Sequence, residues 1–157
     1  MTEKNTGSPF IQRWREFIPS SPYNRAMGFV GTGVEGDWCI LSVPYREELV
    51  GDPSTGVLHG GVITALLDAA CGLAVFLRLP EMKPMATLDL RLDYLKPATP
   101  GRDVLGRAQC YKLTHDLAFV RGCAYHDTPD EPIAMAVGVY MFIGKGAANP
   151  AQEGGKR

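Results

Sequence analysis

His59, Gly60, Gly61 and Asp68 lie in one apolar segment, GVLHGGVITALLDAACG, residues 56–72. A carboxylate is costly to bury unless it is paired or hydrogen-bonded, so Asp68 needs either a structural partner or a ligand. One bond to a neighbouring hydroxyl or N–H is the simpler account of a single aspartate in a helix. The residues upstream favour the ligand. Glycine lets a ligand approach the backbone closely, and the first turn of a helix carries unpaired N–H groups and a partial positive charge. Such a donor suits an oxyanion forming on a carbonyl, and a carboxylate can serve as base or nucleophile. A plain tight loop-to-helix junction is the alternative for the two glycines.

Distance constrains the chemistry. Gly60 and Asp68 are eight residues apart, about 12 Å along a helix at ~1.5 Å per residue. One carbonyl cannot lie within ~3 Å of both groups of a single helix. If the two share a substrate, they come from different chains. Two copies of the helix then run antiparallel across a twofold axis, giving an obligate dimer with two identical sites.

These groups need a helix to carry them and a layer to cover it. The apolar run predicts a helix from about 59 to 78, stopped by Pro80. Two strand-like runs around a glycine turn precede it, AMGFVGTGV and DWCILSVPY. Four follow it, at 84–95, 102–113, 117–126 and 132–143; the first alternates Leu88, Leu90, Leu92 and Tyr94 against Asp89, Arg91 and Asp93. A helix apolar on nearly every side must be buried nearly all round. The expected architecture is therefore α+β, an antiparallel sheet of about six strands wrapped around one long central helix. SPFIQRWREFI (8–18) reads as a short N-terminal helix presenting Ile11, Trp14, Phe17 and Ile18 on one face, and PSSPYN breaks it. Residues 46–57 read as a polar loop. Residues 1–8 and 145–157 read as a disordered N-terminus and a flexible tail, leaving 9–144 as one domain.

Composition narrows the class. The 157 residues carry a net charge of −1, with 21% charged and 45% hydrophobic residues, an ordinary globular balance without the basic footprint of a nucleic-acid or anionic-membrane binder. The segment MTEKNTGSPF lacks the apolar core of a signal peptide, and no run of about 18 uncharged apolar residues appears, so no membrane span is expected. A cytoplasmic protein without membrane or nucleic-acid partners is expected. Cys39, Cys71, Cys110 and Cys123 form no CxxC pair and no zinc-like spacing with histidine, so reduced thiols, no metal and no cofactor are expected. GTGVEG (31–36) matches the spacing of a phosphate-binding loop, but it runs into DWCILSV instead of a helix and reads as a hairpin. There is no G-x-S-x-G elbow, phosphate-binding P-loop or H-E-x-x-H helix.

The segment with His59-Gly60-Gly61 and an acid nine positions after the histidine resembles the hotdog-fold acyl-CoA thioesterases, in particular the phenylacetyl-CoA thioesterase-like (PaaI-like) group. The likeness continues through ATLDLRLDYLKPATPG (86–101), LAFVRG (117–122) and IAMAVGVYMF, and covers roughly residues 25–143. It implies a curved antiparallel sheet around one helix, paired into homodimers with shared active sites and often into dimers of dimers. It implies that Asp68 is the nucleophile or the base that activates water. Gly60 N–H, from the partner subunit, would polarise the thioester carbonyl, and His59 would shape that loop beside Gly61. Thr87 matches a Ser/Thr that holds the attacking water; an ordinary strand threonine is its alternative. The pantetheine channel would use Tyr94 and the segment with Asp116, Leu117, Phe119 and Arg121. Many relatives carry Asn or Gln six residues before the histidine, where this chain has Pro53. Asp52 is the nearest polar substitute, with an Asx-type turn as its alternative.

A CoA ester also needs an apolar slot, for which Leu66, Phe76, Leu88 and Leu90 are candidates, plain core being the alternative. Lys96, Arg91, Arg121 and Lys112 are candidates for the CoA phosphates, with solvated surface as theirs. His115 and His126 read as surface or turn residues. The leading expectation is hydrolysis of a small, medium-chain or aryl acyl-CoA to acid and CoA. The alternatives are a non-catalytic acyl-CoA-binding hotdog protein and an enoyl-CoA hydratase, whose chemistry the helix-start donor suits less well.

Overall fold

The computed structural model describes residues 14–144. The readings made for residues 1–8 and 145–157, and for Ile11, fall outside them. Residues 14–17 are helical and continue into a 3-10 turn, Ile18–Ser20. Trp14 and Ile18 are buried, so the face read from the sequence does pack inward. Ser21-Pro22 does not simply break the chain. It opens a second short helix, α1 (Pro22–Met27), because Ser21 Oγ accepts from Asn24 N–H and Pro22 occupies the first turn, where a missing N–H costs nothing.

The main sheet has six antiparallel strands in the order β1-β2-β6-β7-β8-β5. In chain order these are β1 (Val30–Glu35), β2 (Trp38–Val43), β5 (Met85–Tyr94), β6 (Val104–Leu113), β7 (Leu117–Tyr125) and β8 (Ala134–Phe142). GTGVEG runs along β1 into the turn to β2, as a hairpin. The stretch read as a polar loop contains a 3-10 turn, Glu47–Leu49, and a separate two-stranded ribbon of β3 (Val50–Asp52) and β4 (Val57–Leu58). Two- and three-residue strands are too short to show a period in sequence.

Helix α2 spans Gly60–Arg78 and lies on one face of the sheet, packed mainly on β6, β7 and β2. Leu66, Leu67, Ala70, Cys71, Ala74 and Val75 are fully buried there with Leu41, Val43, Val104, Ala108 and Val120. α2 has the length and hydropathy of a membrane span, but it is a core helix packed on its own sheet; it is not buried nearly all round as expected, because Gly60, Gly61 and Thr64 are exposed and Ala65, Asp68 and Ala69 partly so. Close approach is possible because Gly106 faces it: a Cβ there would lie 2.9 Å from Leu66 Cγ. All four cysteines are free and buried, and Cys39 Sγ donates to Ala70 O at 3.0 Å, tying β2 to α2.

One irregularity matters for function. The β5–β8 register shifts between Thr87 and Asp89, so Leu88 is a bulge residue and stands 59% exposed. Strict alternation would put Thr87 on the outer face with Asp89. The bulge turns it toward α2 instead.

Candidate active site

Helix α2 starts at the β3–β4 ribbon, and the ribbon fixes its first residue. His59 N–H donates to Leu49 O at 2.9 Å. Gly51 lies so close that a Cβ there would be 2.7 Å from His59 Cα. His59 is the N-cap, with extended backbone, and its Nδ1 accepts from Gly61 N–H at 2.9 Å; the ring proton therefore sits on Nε2. Val62 N–H donates to His59 O at 2.9 Å. With those two donors engaged, Gly60 N–H is the helix-start donor that makes no hydrogen bond among the described residues. Gly60 and Gly61 are both exposed.

Tyr94, at the end of β5, secures this start. Its hydroxyl donates to Gly60 O at 2.7 Å and lies 2.6 Å from Thr64 Oγ1. Tyr94, Gly60 and Lys96 line a cavity of about 400 Å³ beside the helix start.

Asp68 lies two turns further along α2, partly exposed. Thr87 Oγ1 donates to its Oδ1 at 2.9 Å, and Tyr140 Oη donates to the same oxygen at 2.7 Å. Tyr140 Oη also lies 2.8 Å from Asp68 O. Thr87 and Tyr140 are direct cross-strand partners on β5 and β8, so one pair of neighbouring residues supplies both hydroxyls. Burial, followed by the neighbouring Cys71 and Asp68, pushes the Tyr140 phenol far above its ordinary value. It remains a protonated donor. Asp68 Oδ2 makes no hydrogen bond among the described residues, and Asp68 borders a cavity of about 700 Å³ with Thr87 and Tyr140. The cavity continues along α2 past Ala69, Gly72 and Leu73 to Phe76.

Tyr140 is the residue that sequence reasoning missed. A signal existed: along β8 the inward positions are Ala134, Ala136, Gly138 and Tyr140. A tyrosine on that otherwise small, buried face must find a partner for its hydroxyl.

Asp68 and Thr87 are thus brought together, and His59, Gly60, Gly61 and Tyr94 form a second group at the helix start. The other candidates lie elsewhere in the chain. Asp52 accepts from Ser54 N–H (3.0 Å), Ser54 Oγ (2.6 Å) and Thr55 Oγ1 (3.0 Å), an Asx turn around Pro53 whose bonds hold its carboxyl below the ordinary range. Leu117, Phe119 and Arg121 alternate with the buried Ala118 and Val120 and so face away from α2. Asp116 bonds His115 Nδ1 at 2.6 Å on the exposed β6–β7 turn. Arg121 donates to Gln109 Oε1 at 3.0 Å and lies over Trp38. None of these borders the Asp68 cavity. Of the apolar candidates, Phe76 and Leu90 line it; Leu66 is core and Leu88 is the exposed bulge residue. Among the described residues no cluster of His, Cys, Asp or Glu could hold a metal ion.

Comparison with known proteins gives the family. The family model described as the thioesterase superfamily matches residues 55–133, a span that holds the helix start, Asp68 and Thr87. A medium/long-chain acyl-CoA thioesterase, YigI of Escherichia coli, is 30% identical over 139 residues, covering 80% of this chain and 88% of its own. A crystal structure of a Pseudomonas aeruginosa protein superposes with a TM-score of 0.78 at 39% identity, covering 86% of this chain and all of that one. The phenylacetic acid degradation protein PaaI of Thermus thermophilus superposes with a TM-score of 0.67 at 25% identity, covering 78% of this chain and all of its own. The chain belongs to the thioesterase superfamily and is a hotdog-fold, PaaI-like thioester hydrolase.

Proposed function

We propose that the protein hydrolyses acyl-CoA thioesters with small, medium-chain or aryl acyl groups to the free acid and CoA, and that Asp68 is the group that drives the reaction. The observation that carries this is the division of labour on its carboxylate. Two hydroxyls occupy Oδ1, Oδ2 has no partner among the described residues, and Asp68 borders the cavity. Oδ2 takes a proton from water as the water oxygen adds to the thioester carbonyl. Alternatively, Oδ2 adds to the carbonyl itself. The electron pair of the C=O bond moves to oxygen and is held by Gly60 N–H. Collapse of the adduct breaks the C–S bond. By the water route, CoA leaves as the thiolate and recovers the proton from Asp68. By the covalent route, water then cleaves the acyl–Asp68 anhydride.

Gly60 and Asp68 of one helix are too far apart for one carbonyl, so the donor comes from a second copy of the chain. Two features support such a homodimer. β5 is an edge strand with an unpaired ladder and an exposed Leu88, and the Gly60–Gly61–Thr64 side of α2 is exposed. The outer face of β8 exposes Met135, Val137 and Met141, apolar surface that a pairing of dimers would cover. Lys96 beside the helix-start cavity is placed to meet a CoA phosphate. Four buried free thiols fit a reducing cytoplasm.

The test is a panel of acyl- and aryl-CoA thioesters followed by free-thiol release. Asp68→Ala is expected to lower kcat by at least ~10²-fold with the fold kept. Release of CoA at the native rate by Asp68→Ala would reject the assignment.

A further inference from the structure

The Asp68 cavity ends at an aromatic contact that the proposed chemistry does not use. Phe17, from the N-terminal helical segment, meets Phe76 of α2 edge to face, with ring centroids 5.7 Å apart and planes at 88°. Beyond the pair lies a second cavity of about 520 Å³, bordered by Trp14, Leu79, Pro80 and Met82. Phe17 and Phe76 are the two residues common to the linings of both cavities.

We propose that the Phe17–Phe76 pair is a gate that sets the length of acyl chain the enzyme accepts, and that the cavity behind it receives the end of a long alkyl chain when the gate opens. The inference rests on the thioesterase reading of the Asp68 site. Asp68, Gly72 and Phe76 recur every four residues along one face of α2. A chain whose carbonyl is at Asp68 and whose tail follows that face past Gly72 reaches the pair about 12 Å on. The two rings differ in how firmly they are held. Trp14 and Ile18, on either side of Phe17, are buried and fix the backbone, while Phe17 itself is 40% exposed. Its ring can therefore turn toward solvent without moving the segment. An edge-to-face contact is a weak attraction, enough to hold the pair closed and cheap to break.

The chemistry of the far cavity selects its occupant. Its walls are apolar, but Glu16 and Glu81 also border it. Two carboxylates repel the phosphates of CoA and favour an uncharged alkyl end. The CoA moiety accordingly leaves at the opposite end of the Asp68 cavity, toward the start of α2, where Gly61 and Thr64 border it.

The test measures kcat/KM for acetyl-, hexanoyl-, decanoyl- and palmitoyl-CoA with the native protein, Phe17→Ala, Phe17→Trp and Phe76→Leu. Opening the gate with Phe17→Ala should raise the palmitoyl-to-hexanoyl ratio on the order of tenfold, the scale on which an apolar pocket discriminates chain length. Phe17→Trp should lower the ratio. Phe76→Leu, which keeps an apolar side chain in the core, should raise it. In parallel, affinities of S-hexyl- and S-hexadecyl-CoA thioethers are measured on Asp68→Asn with and without Phe17→Ala, so that binding is read without turnover. Unchanged ratios in both Phe17 variants would overturn the gate even if hydrolysis depends on Asp68. If no ester is hydrolysed yet Phe17→Ala still raises the relative affinity for the long thioether, the gate stands and the thioesterase reading falls.

Discussion

Tyr140 Oη donates to Asp68 Oδ1 at 2.7 Å from the strand directly beside Thr87. This bond does more than satisfy a buried phenol. It takes up one oxygen of the carboxylate, fixes the rotation of the side chain, and leaves Oδ2 without a partner among the described residues. Hydrogen bonds to charged groups contribute about 1.5–3 kcal/mol each, so the two hydroxyls together hold Asp68 in a single orientation.

Tyr140 is therefore a positioning residue, and its removal should separate kcat from KM. Tyr140→Phe is expected to lower kcat about 10-fold, about 1.4 kcal/mol of barrier, with KM little changed. Thr87→Val should have an effect of the same order, and Thr87→Ser should restore it. Because both hydroxyls meet one oxygen, the double variant should depart from additivity. A native kcat in Tyr140→Phe would show that Asp68 keeps its orientation without the phenol.

The long helix, its start at His59 and the six main strands were legible in the sequence because each has a periodic or punctuated signature. The apolar run is bounded by His-Gly-Gly and Pro80, and the strands by Gly- and Pro-rich turns. Asp68 was singled out by its place in an apolar helix and Thr87 by the family resemblance, but their direct contact and the part of Tyr140 were not legible, because they depend on a bulge. Alternation grouped Leu88 with Leu90, Leu92 and Tyr94 on one face, whereas the register shift exposes Leu88 and turns Thr87 onto the carboxylate. A bulge is a relation between two strands, and no single strand's pattern encodes it. The β3–β4 ribbon escaped for another reason: its close backbone approach at Gly51 depends on tertiary contact with His59.

That approach makes Gly51 a sensitive position. Gly51→Ala would place a Cβ 2.7 Å from His59 Cα, so the ribbon or the helix start must move. The expected cost is about 1–3 kcal/mol, a fall in Tm of several degrees, since about 1 kcal/mol shifts Tm by ~2–4 °C in a chain of this size. Activity should fall with it, because His59 sets the first turn that presents Gly60 N–H. Thermal melting and thiol release on one preparation check both. An unchanged Tm would show that the ribbon yields without cost.

Alkaline pH should destabilise the protein before it affects most surface groups. Burial holds the Cys39 thiol up at about 12, from an ordinary value of 9.0, and raises Cys71, Cys110 and Cys123. Burial likewise pushes the Tyr125 phenol up to about 12 and raises Tyr140. Above the ordinary values the unfolded chain has lost protons that the folded chain still holds. Stability is therefore full below about pH 9 and falls as pH rises toward 12, by up to ~1.4 kcal/mol per pH unit for each fully buried group. Melting curves from about pH 8 to about pH 11 should show a falling Tm, and Cys39→Ala should show a shallower fall. A flat Tm, or an identical slope in Cys39→Ala, would contradict this.

The central claim is that the carboxylate and the oxyanion donor at each site come from two copies of the chain. Gly60→Pro removes the donor N–H at the first helical position, where proline is well tolerated, and His59 already has the extended backbone that a following proline requires. Gly60→Pro and Asp68→Asn should each be nearly inactive alone. When the two chains are mixed, unfolded and reassembled together, half the sites of each mixed dimer are intact. Activity should then return to roughly a quarter of the native level under random pairing. Mixed dimers isolated with two different affinity tags and still showing no activity would contradict the shared site and place donor and acid within one chain.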